Sequence, residues 1–392
     1  MLLGLFAAVP ALSIDISAPT LALLPEALGT SAMVAGLTLA LFMVGFALGQ
    51  LLGGILSDRC GRKPVLLAGL VCYIAAGVAC ALSQTGDMLV VSRFVQGLGA
   101  GACSVQAFAM VQDLFEGAAA RTQRSYVTVV FGTVPMFAPA LGSLLSGLAG
   151  WRSVYGVLAL GSSLLLLVTW LGVGESRWVR ARVLAPSNTT NANWIWQDWK
   201  FVGFAAANAL SYGSVFAYIA GSPIIIIGQL GYSSAVFAGV FASTAAALTL
   251  GAWTSGRLGR RFGANALLGP SLMAAAVATF ALAVASVSGT VSGMVFVPLL
   301  LVMAFTRGII APNLQQLAIE RRPEQAGMAS SIVGVSQLLS GALASAIVAA
   351  LLSRLGLAAV GLPMAMLSLA ALLVWRWTTF CARLPVSTRA RV

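Results

Sequence analysis

The sequence predicts an all-α membrane protein of twelve transmembrane helices, arranged as two six-helix bundles related by pseudo-two-fold symmetry. Three observations carry this expectation. Of 392 residues, 59% are hydrophobic and only 8% are charged, with a mean hydropathy of +0.97, a balance foreign to soluble domains. The apolar residues gather in twelve runs, centred near residues 12, 46, 74, 100, 135, 163, 210, 245, 276, 303, 338 and 368, and a helix needs roughly 20 such residues to cross about 30 Å of hydrocarbon. A short motif also recurs: Gly53, Ser57, Arg59, Gly61, Arg62 and Lys63 match Gly251, Ser255, Arg257, Gly259, Arg260 and Arg261 at an offset of 198 (251 − 53). A duplicated six-span unit would leave such a trace, and carriers built this way place their sites between the halves.

The first run starts at Met1, lacks a basic flank and contains Asp15, so it reads as a retained span rather than a signal peptide. Glycine, 42 residues in all, interrupts nearly every run, as it does where membrane helices pack backbone to backbone. Between the spans, charge alternates. Arg59, Arg62, Lys63, Arg121, Arg124, Arg177, Arg180, Arg182, Lys200, Arg257, Arg260, Arg261, Arg321, Arg322, Arg376, Arg383, Arg389 and Arg391 all fall in every second connection or the tail, 18 of the 22 Lys and Arg. The positive-inside rule then puts both termini and the central loop in the cytoplasm. Only Arg152 and Arg354 lie opposite, and Arg93 and Arg307 lie within runs.

The longest internal polar stretch, residues 175 to 200, falls at the midpoint. It divides the chain into an N-terminal bundle (1–174), a cytoplasmic linker (175–197), a C-terminal bundle (198–380) and a cytoplasmic tail (381–392). The net charge of +12 is thus explained by topology, and no basic and aromatic cluster points to nucleic acid.

Several chemistries are excluded. The chain has no histidine, and Cys60, Cys72, Cys80, Cys103 and Cys381 are scattered without a C-x-x-C pair, so neither metal ligation nor a Ser/His/Asp enzyme is expected. No G-x-x-x-x-G-K-[ST] loop is present, which excludes ATP-driven transport within this chain. No cofactor is expected, and proton chemistry falls to carboxylates.

Two ionisable residues sit inside apolar runs, where an unpaired charge costs at least about 2.5 to 3.5 kcal/mol. Counting about 1.5 Å per residue from the outer end of each span places Asp15 roughly 13 Å deep and Arg93 roughly 8 Å deep, in a shared layer. Asp15 is expected to be the protonatable group, neutral when unpaired and ionised when Arg93 or a cationic substrate approaches, so that proton and substrate compete. Asp113 lies near the cytoplasmic end of the fourth span, where it can pair with Arg121 or Arg124 or serve, with Asp15 and Arg93, as a secondary proton-coupling residue on the inward proton path. Arg307 is expected near the cytoplasmic end of the tenth span, snorkelling to water. In SDRCGRK, residues 57 to 63, topology accounts for the bases, whereas Asp58 can latch one conformation through a base or a helix N-terminus. Phe42, Met43, Phe46, Phe108, Met110, Tyr126, Phe131, Phe137, Tyr212, Phe216 and Tyr218 can line a deformable apolar cavity. Of these, Phe42, Phe46, Tyr126, Phe131, Tyr212 and Phe216 are the leading candidates.

These stretches resemble a known family. GGILSDRCGRKPVLL is similar to the signature loop of the major facilitator superfamily, G-x-x-x-D-R-x-G-R-R, with Gly54, Asp58, Arg59, Gly61, Arg62 and Lys63 in its positions. RFVQGLGAG (93–101) completes the family's fourth-helix pattern, which implies a proton-coupling role for Arg93. GTVPMFAPALGS (132–143) resembles the fifth-helix motif of antiporters through Gly132, Pro139 and Gly142, with Ala138 and Ser143 standing where the common form has glycine. IDISAPTLALLPEALG, WRSVYGVLA and PNLQQLAIERRPEQAGMASSIVGVSQLLSGA are similar to the bicyclomycin and chloramphenicol resistance (Bcr/CflA) subfamily, which commonly carries an acid at the position of Asp113.

The resemblance implies the major facilitator fold and a proton-coupled drug or multidrug efflux carrier working by alternating access. Its expected partners are protons, the lipid bilayer and a small, mostly apolar substrate. The expected form is a monomer in a bacterial inner membrane, with no nucleic acid partner. A proton-coupled symporter importing a small nutrient is the alternative on the same fold. A non-transporting receptor or scaffold is a remote one, since it gains nothing from buried charge.

Overall fold

The computed structural model describes residues 2–115, 117–175, 198–290, 292–321 and 326–383. Among them run twelve long helices: α1 (Leu2–Ser17), α2 (Ala32–Cys60), α3 (Arg62–Ala81), α4 (Gly86–Leu114), α5 (Gly117–Ala149), α6 (Arg152–Gly172), α7 (Trp199–Pro223), α8 (Ser234–Phe262), α9 (Ala264–Val287), α10 (Gly293–Ile319), α11 (Ala326–Leu355) and α12 (Ala358–Arg383). Each coincides with one of the twelve apolar runs. In hydrocarbon every backbone N–H and C=O must pair within its own segment, and helices do this. The two departures from α geometry keep that pairing: α1 tightens into a 3-10 turn at Ala18–Ala22, and α7 widens into a π-helical segment at Ile224–Gln229.

Among the described residues, eleven helices are long and apolar enough to cross a membrane. In α5 the apolar part found among the described residues is Thr133–Ala149. Polar caps set several helix starts. Ser31 Oγ accepts from Val34 N at 3.3 Å and Thr85 Oγ1 from Met88 N at 3.2 Å. Asp198 Oδ1 accepts from the N–H groups of Lys200 and Phe201, both at 3.2 Å.

The chain divides into two compact units, Met1–Asn188 with Ser222–Ala242, and Thr189–Gly221 with Ser243–Val392. Ser222–Ala242, from the C-terminal half of the sequence, groups with the first unit. In the first unit α4 packs against α2, α3 and α1, while α1 also lies on α5 and α3 on α6. Its core gathers Phe6, Leu66, Leu70, Cys103, Met110 and Val111. In the second unit α9 packs against α10 and α12, around Phe201, Leu268, Leu272, Ile310, Leu314 and Val333.

Each unit contains a close helix crossing, α4 on α2 and α10 on α8, and these two crossings correspond in the atoms they bring together. A Cβ on Gly101 of α4 would strike the carbonyl oxygen of Phe46, Gln50 N at 2.6 Å and Gly49 C at 2.8 Å. One on Gly308 of α10 would strike the carbonyl oxygen of Leu248, Ala252 N at 2.7 Å and Gly251 C at 3.0 Å. On α2 and α8 the partners differ by 202 throughout (248 − 46, 252 − 50, 251 − 49). The same offset joins the glycines that end these two helices, Gly61 (φ 102°) and Gly263 (φ 79°). The structural repeat is therefore 202, not the 198 read from the motif letters. The lettering follows the Arg/Gly composition of the loop, whereas α8 runs four residues, about one turn, further before its terminating glycine.

Candidate functional site

Asp15 and Arg93, expected to share a layer, lie at one level of α1 but on opposite faces of it. Successive helical residues turn by about 100°, so Ser13 and Ser17 share a side of α1 and Asp15 points away from it. Arg93, reaching across from α4, takes the serine side: Nη2 donates to Ser13 O and to Ser17 Oγ, each at 3.3 Å, and Nη1 to Gln96 Oε1 at 2.7 Å. Its guanidinium lies 4.2 Å from the Phe42 ring centroid and 5.6 Å from that of Tyr155. Arg93 is 1% exposed and its Nε has no partner. Neutral acceptors and ring faces hold this cation, a cation–π contact in a dry site being worth about 2 kcal/mol.

A second layer steadies the first. Ser13 Oγ donates to Val9 O at 2.7 Å, which leaves the Tyr73 hydroxyl of α3 to donate to Ser13 Oγ at 2.5 Å. Ser17 Oγ donates to Ser13 O at 2.8 Å, so its lone pairs face Arg93. Asp15, by contrast, is 5% exposed and has no hydrogen bond or ion pair among the described residues. An ionised carboxylate in that position is uncompensated. Ser13, Ser17, Tyr73, Gln96 and Tyr155 were not singled out from the sequence. The i, i+4 serines bracketing Asp15 and the Gln three residues after Arg93 were the available signals.

The SDRCGRK segment builds a second charged cluster where α2, α3 and α4 end or begin. Arg62 Nη1 donates to Ser57 Oγ at 2.6 Å and to Asp58 Oδ1 at 2.7 Å, and Nε donates to Asp113 Oδ2 at 2.9 Å. The Asp58 side chain is 69% exposed and that of Asp113 is 1% exposed. The buried acid of the loop network is therefore Asp113, brought from 51 residues away, and Asp58 is its solvated edge. Glu175 completes the cluster: its two carboxylate oxygens accept the backbone N–H groups of Arg62 at 2.8 Å and Lys63 at 3.0 Å, capping α3 where the helix dipole favours an anion. Gly61 is needed there twice, for its positive φ and because a Cβ would lie 2.6 Å from Glu175 Oε2. Lys63 Nζ donates to Trp170 O at 3.1 Å. A Cβ on Gly54 would meet nothing within 4 Å. Glu175, expected at the head of the linker, instead serves the first bundle.

The profile of the Major Facilitator Superfamily matches residues 3–345. The chain belongs to this superfamily. Among curated proteins it is 32% identical to a chloramphenicol resistance protein of Pseudomonas aeruginosa over 278 residues, which cover 68% of this chain and 64% of that one. It is 26% identical over 361 residues to a bicyclomycin resistance protein homolog of Haemophilus influenzae, covering 89% and 88%. Among solved structures, a bacterial homolog of the human lysosomal transporter Spinster superposes with a TM-score of 0.78 at 14% identity, covering 99% of this chain and 97% of that one. The protein is thus a multi-pass membrane transporter of the major facilitator fold, and its similarity to the bicyclomycin and chloramphenicol resistance proteins stands.

The 132–143 stretch of α5 meets α1 at the level of Asp15. A Cβ on Gly142 of α5 would collide with the carbonyl oxygen of Ile16, so the glycine lets α5 approach α1 beside the carboxylate. Pro139 is buried one turn earlier. Gly132, Tyr126 and Phe131 belong to the part of α5 whose side chains lie outside the described residues. Of the proposed cavity residues, Phe42 covers Arg93 and lies 6.5 Å from Phe46, centroid to centroid. Tyr212 and Phe216 stack at 4.7 Å on α7. No cluster of three potential metal ligands occurs among the described residues.

One expectation is corrected. Arg307 does not snorkel: it is 5% exposed, and Nη1 donates to Asn208 Oδ1 at 2.8 Å. The reason is helix length. Because α10 continues to Ile319, about 18 Å of helix separates Arg307 from that end.

Proposed function

We propose that this transporter is a drug:proton antiporter that expels a small, mostly apolar compound by alternating access. The observation that supports it best is the pair of buried charged residues at one turn of α1, where Arg93 of α4 is hydrogen-bonded through both terminal nitrogens and Asp15 has no partner among the described residues. A carboxyl group in such a place is stable while it carries a proton. It becomes stable as a carboxylate only when water or a cationic substrate reaches it. Proton release and substrate binding are thereby linked, and the proton gradient is the energy source without any cofactor. Arg93, clamped by Ser13, Ser17 and Gln96, fixes α1 against α4 and supplies a standing positive field near the carboxylate. The names of the chloramphenicol and bicyclomycin resistance relatives favour a drug over a nutrient as cargo.

The carrier works as a monomer in a bacterial inner membrane with both termini in the cytoplasm, the orientation favoured by 18 of its 22 basic residues. The Arg62 cluster, with Asp58 and Asp113, acts as the conformational latch.

The test is a panel of toxic compounds, including chloramphenicol and bicyclomycin, on cells with and without the protein. Wild type raises resistance, a proton uncoupler abolishes it, and Asp15→Asn loses the uncoupler-sensitive part. Full proton-driven efflux by Asp15→Asn rejects the assignment of Asp15, and heightened sensitivity of wild-type cells identifies an importer instead.

A further inference from the structure

A second buried cation, far along the chain from Arg93, has no place in the coupling scheme. Arg307 of α10 faces α7, where Asn208, Tyr212 and Phe216 recur every four residues and so share one stripe. Nη1 of Arg307 donates to Asn208 Oδ1 at 2.8 Å, and the guanidinium lies 5.6 Å from the Tyr212 ring centroid. Neither contact neutralises it, and no carboxylate pairs with Arg307 among the described residues.

The amide beside it is fixed and unsatisfied. Asn208 is fully buried, and its Nδ2 has no hydrogen-bond partner. Rotating the amide to exchange oxygen and nitrogen would set an NH2 against the guanidinium, donor against donor, so the observed orientation holds. Arg307 and Asn208 therefore present N–H donors from neighbouring positions with nothing to accept them. Buried donors left open in this way mark the place of an acceptor, and a planar guanidinium suits the two oxygens of a carboxylate. The Tyr212–Phe216 stack supplies an aromatic flank beside it.

We propose that Arg307 and Asn208, flanked by Tyr212 and Phe216, form a receptor for the carboxylate of an otherwise apolar, aromatic substrate. The proposal deepens the drug-carrier reading and rests on it, because it names a chemical class of cargo; with an anionic cargo, water rather than the substrate is what stabilises the ionised Asp15. Arg307 supplies the charge and a two-pronged fork, Asn208 Nδ2 adds a donor, and the ring pair meets the aromatic body. An aromatic acid then gains from the site what its neutral ester cannot.

The test uses the purified full-length protein, with nalidixate as the aromatic carboxylate and its methyl ester as the neutral counterpart, each titrated at neutral pH. Wild type binds the acid at least about tenfold more tightly than the ester, and Arg307→Gln removes that preference. Asn208→Asp provides a second route that keeps the cation: an internal carboxylate occupies Arg307, and the preference for the acid is again lost. If Arg307→Gln fails to give a monodisperse protein, Asn208→Asp decides alone. Equal affinity for acid and ester in wild type, or a preference surviving in a folded variant, overturns the proposal. Neither result touches the efflux reading, which falls only if wild-type cells gain no resistance to any compound of the panel.

Discussion

Arg62 Nε and Asp113 Oδ2 meet at 2.9 Å, joining the start of α3 to the end of α4 through the least exposed acid of the SDRCGRK network. The same arginine also meets Asp58, in the open. Removing one partner of a buried pair leaves the other uncompensated, whereas exposed pairs are worth about 0 to 1 kcal/mol. Asp113→Asn should therefore destabilise the purified protein by about 3 kcal/mol, and Asp58→Asn by about 1 kcal/mol or less. Thermal unfolding in detergent compares them, and equal losses would contradict the assignment.

Gly61 and Glu175 are coupled by space as well as by capping. Glu175→Ala removes two accepted N–H bonds at the start of α3 and is expected to cost about 1 kcal/mol. Gly61→Ala forces a positive φ on alanine, at about 1 to 3 kcal/mol, and also drives a Cβ into the carboxylate. In the Glu175→Ala background that collision is gone. The double variant should be more stable than the sum of the single losses allows, and strict additivity in a double-mutant cycle would count against it.

The crossings at Gly101 and Gly308 tolerate no side chain because the atoms they would strike are backbone. Gly101→Ala and Gly308→Ala should each cost at least about 1 to 3 kcal/mol through overpacking, or fail to yield a monodisperse protein. Gly54→Ala, with open space at its Cβ, should be neutral or stabilising by up to about 1 kcal/mol. Size-exclusion profiles with melting temperatures read all three.

Arg93 is held by a fork that lysine lacks. Arg93→Lys keeps the charge but loses the simultaneous reach to Gln96 and Ser17, so transport should fall at least about tenfold while the protein still folds. Gln96→Ala leaves an arginine N–H buried and unpaired, costing about 1 to 3 kcal/mol. A lysine variant with unchanged transport and uncoupler sensitivity would separate Arg93 from coupling.

The spans were legible in the sequence because hydrocarbon enforces one rule on every helix, and the centre of each apolar run lies within its helix. Asp15 and Arg93 were legible for the same reason, as charges where charge is costly. Their surroundings were not: Arg93 meets Ser13 and Ser17 across 76 to 80 residues, and no periodicity within a span encodes which face meets another. Glu175 escaped notice because its role depends on the chain returning to α3 more than 100 residues later. Arg307 was misplaced because its depth was counted from apolar letters, which end before the helix does.

The two crossing glycines also serve as a ruler. Arg93 lies eight residues before Gly101, about 12 Å along α4, whereas Arg307 immediately precedes Gly308 on α10. Duplication copied the scaffold but not the stations of its cations. Equivalent helix crossings thus carry their buried cations at different heights, so the two halves offer unlike charge environments on a like scaffold. Exchanging the two stations by moving one arginine along its helix is therefore a more telling perturbation than deleting either.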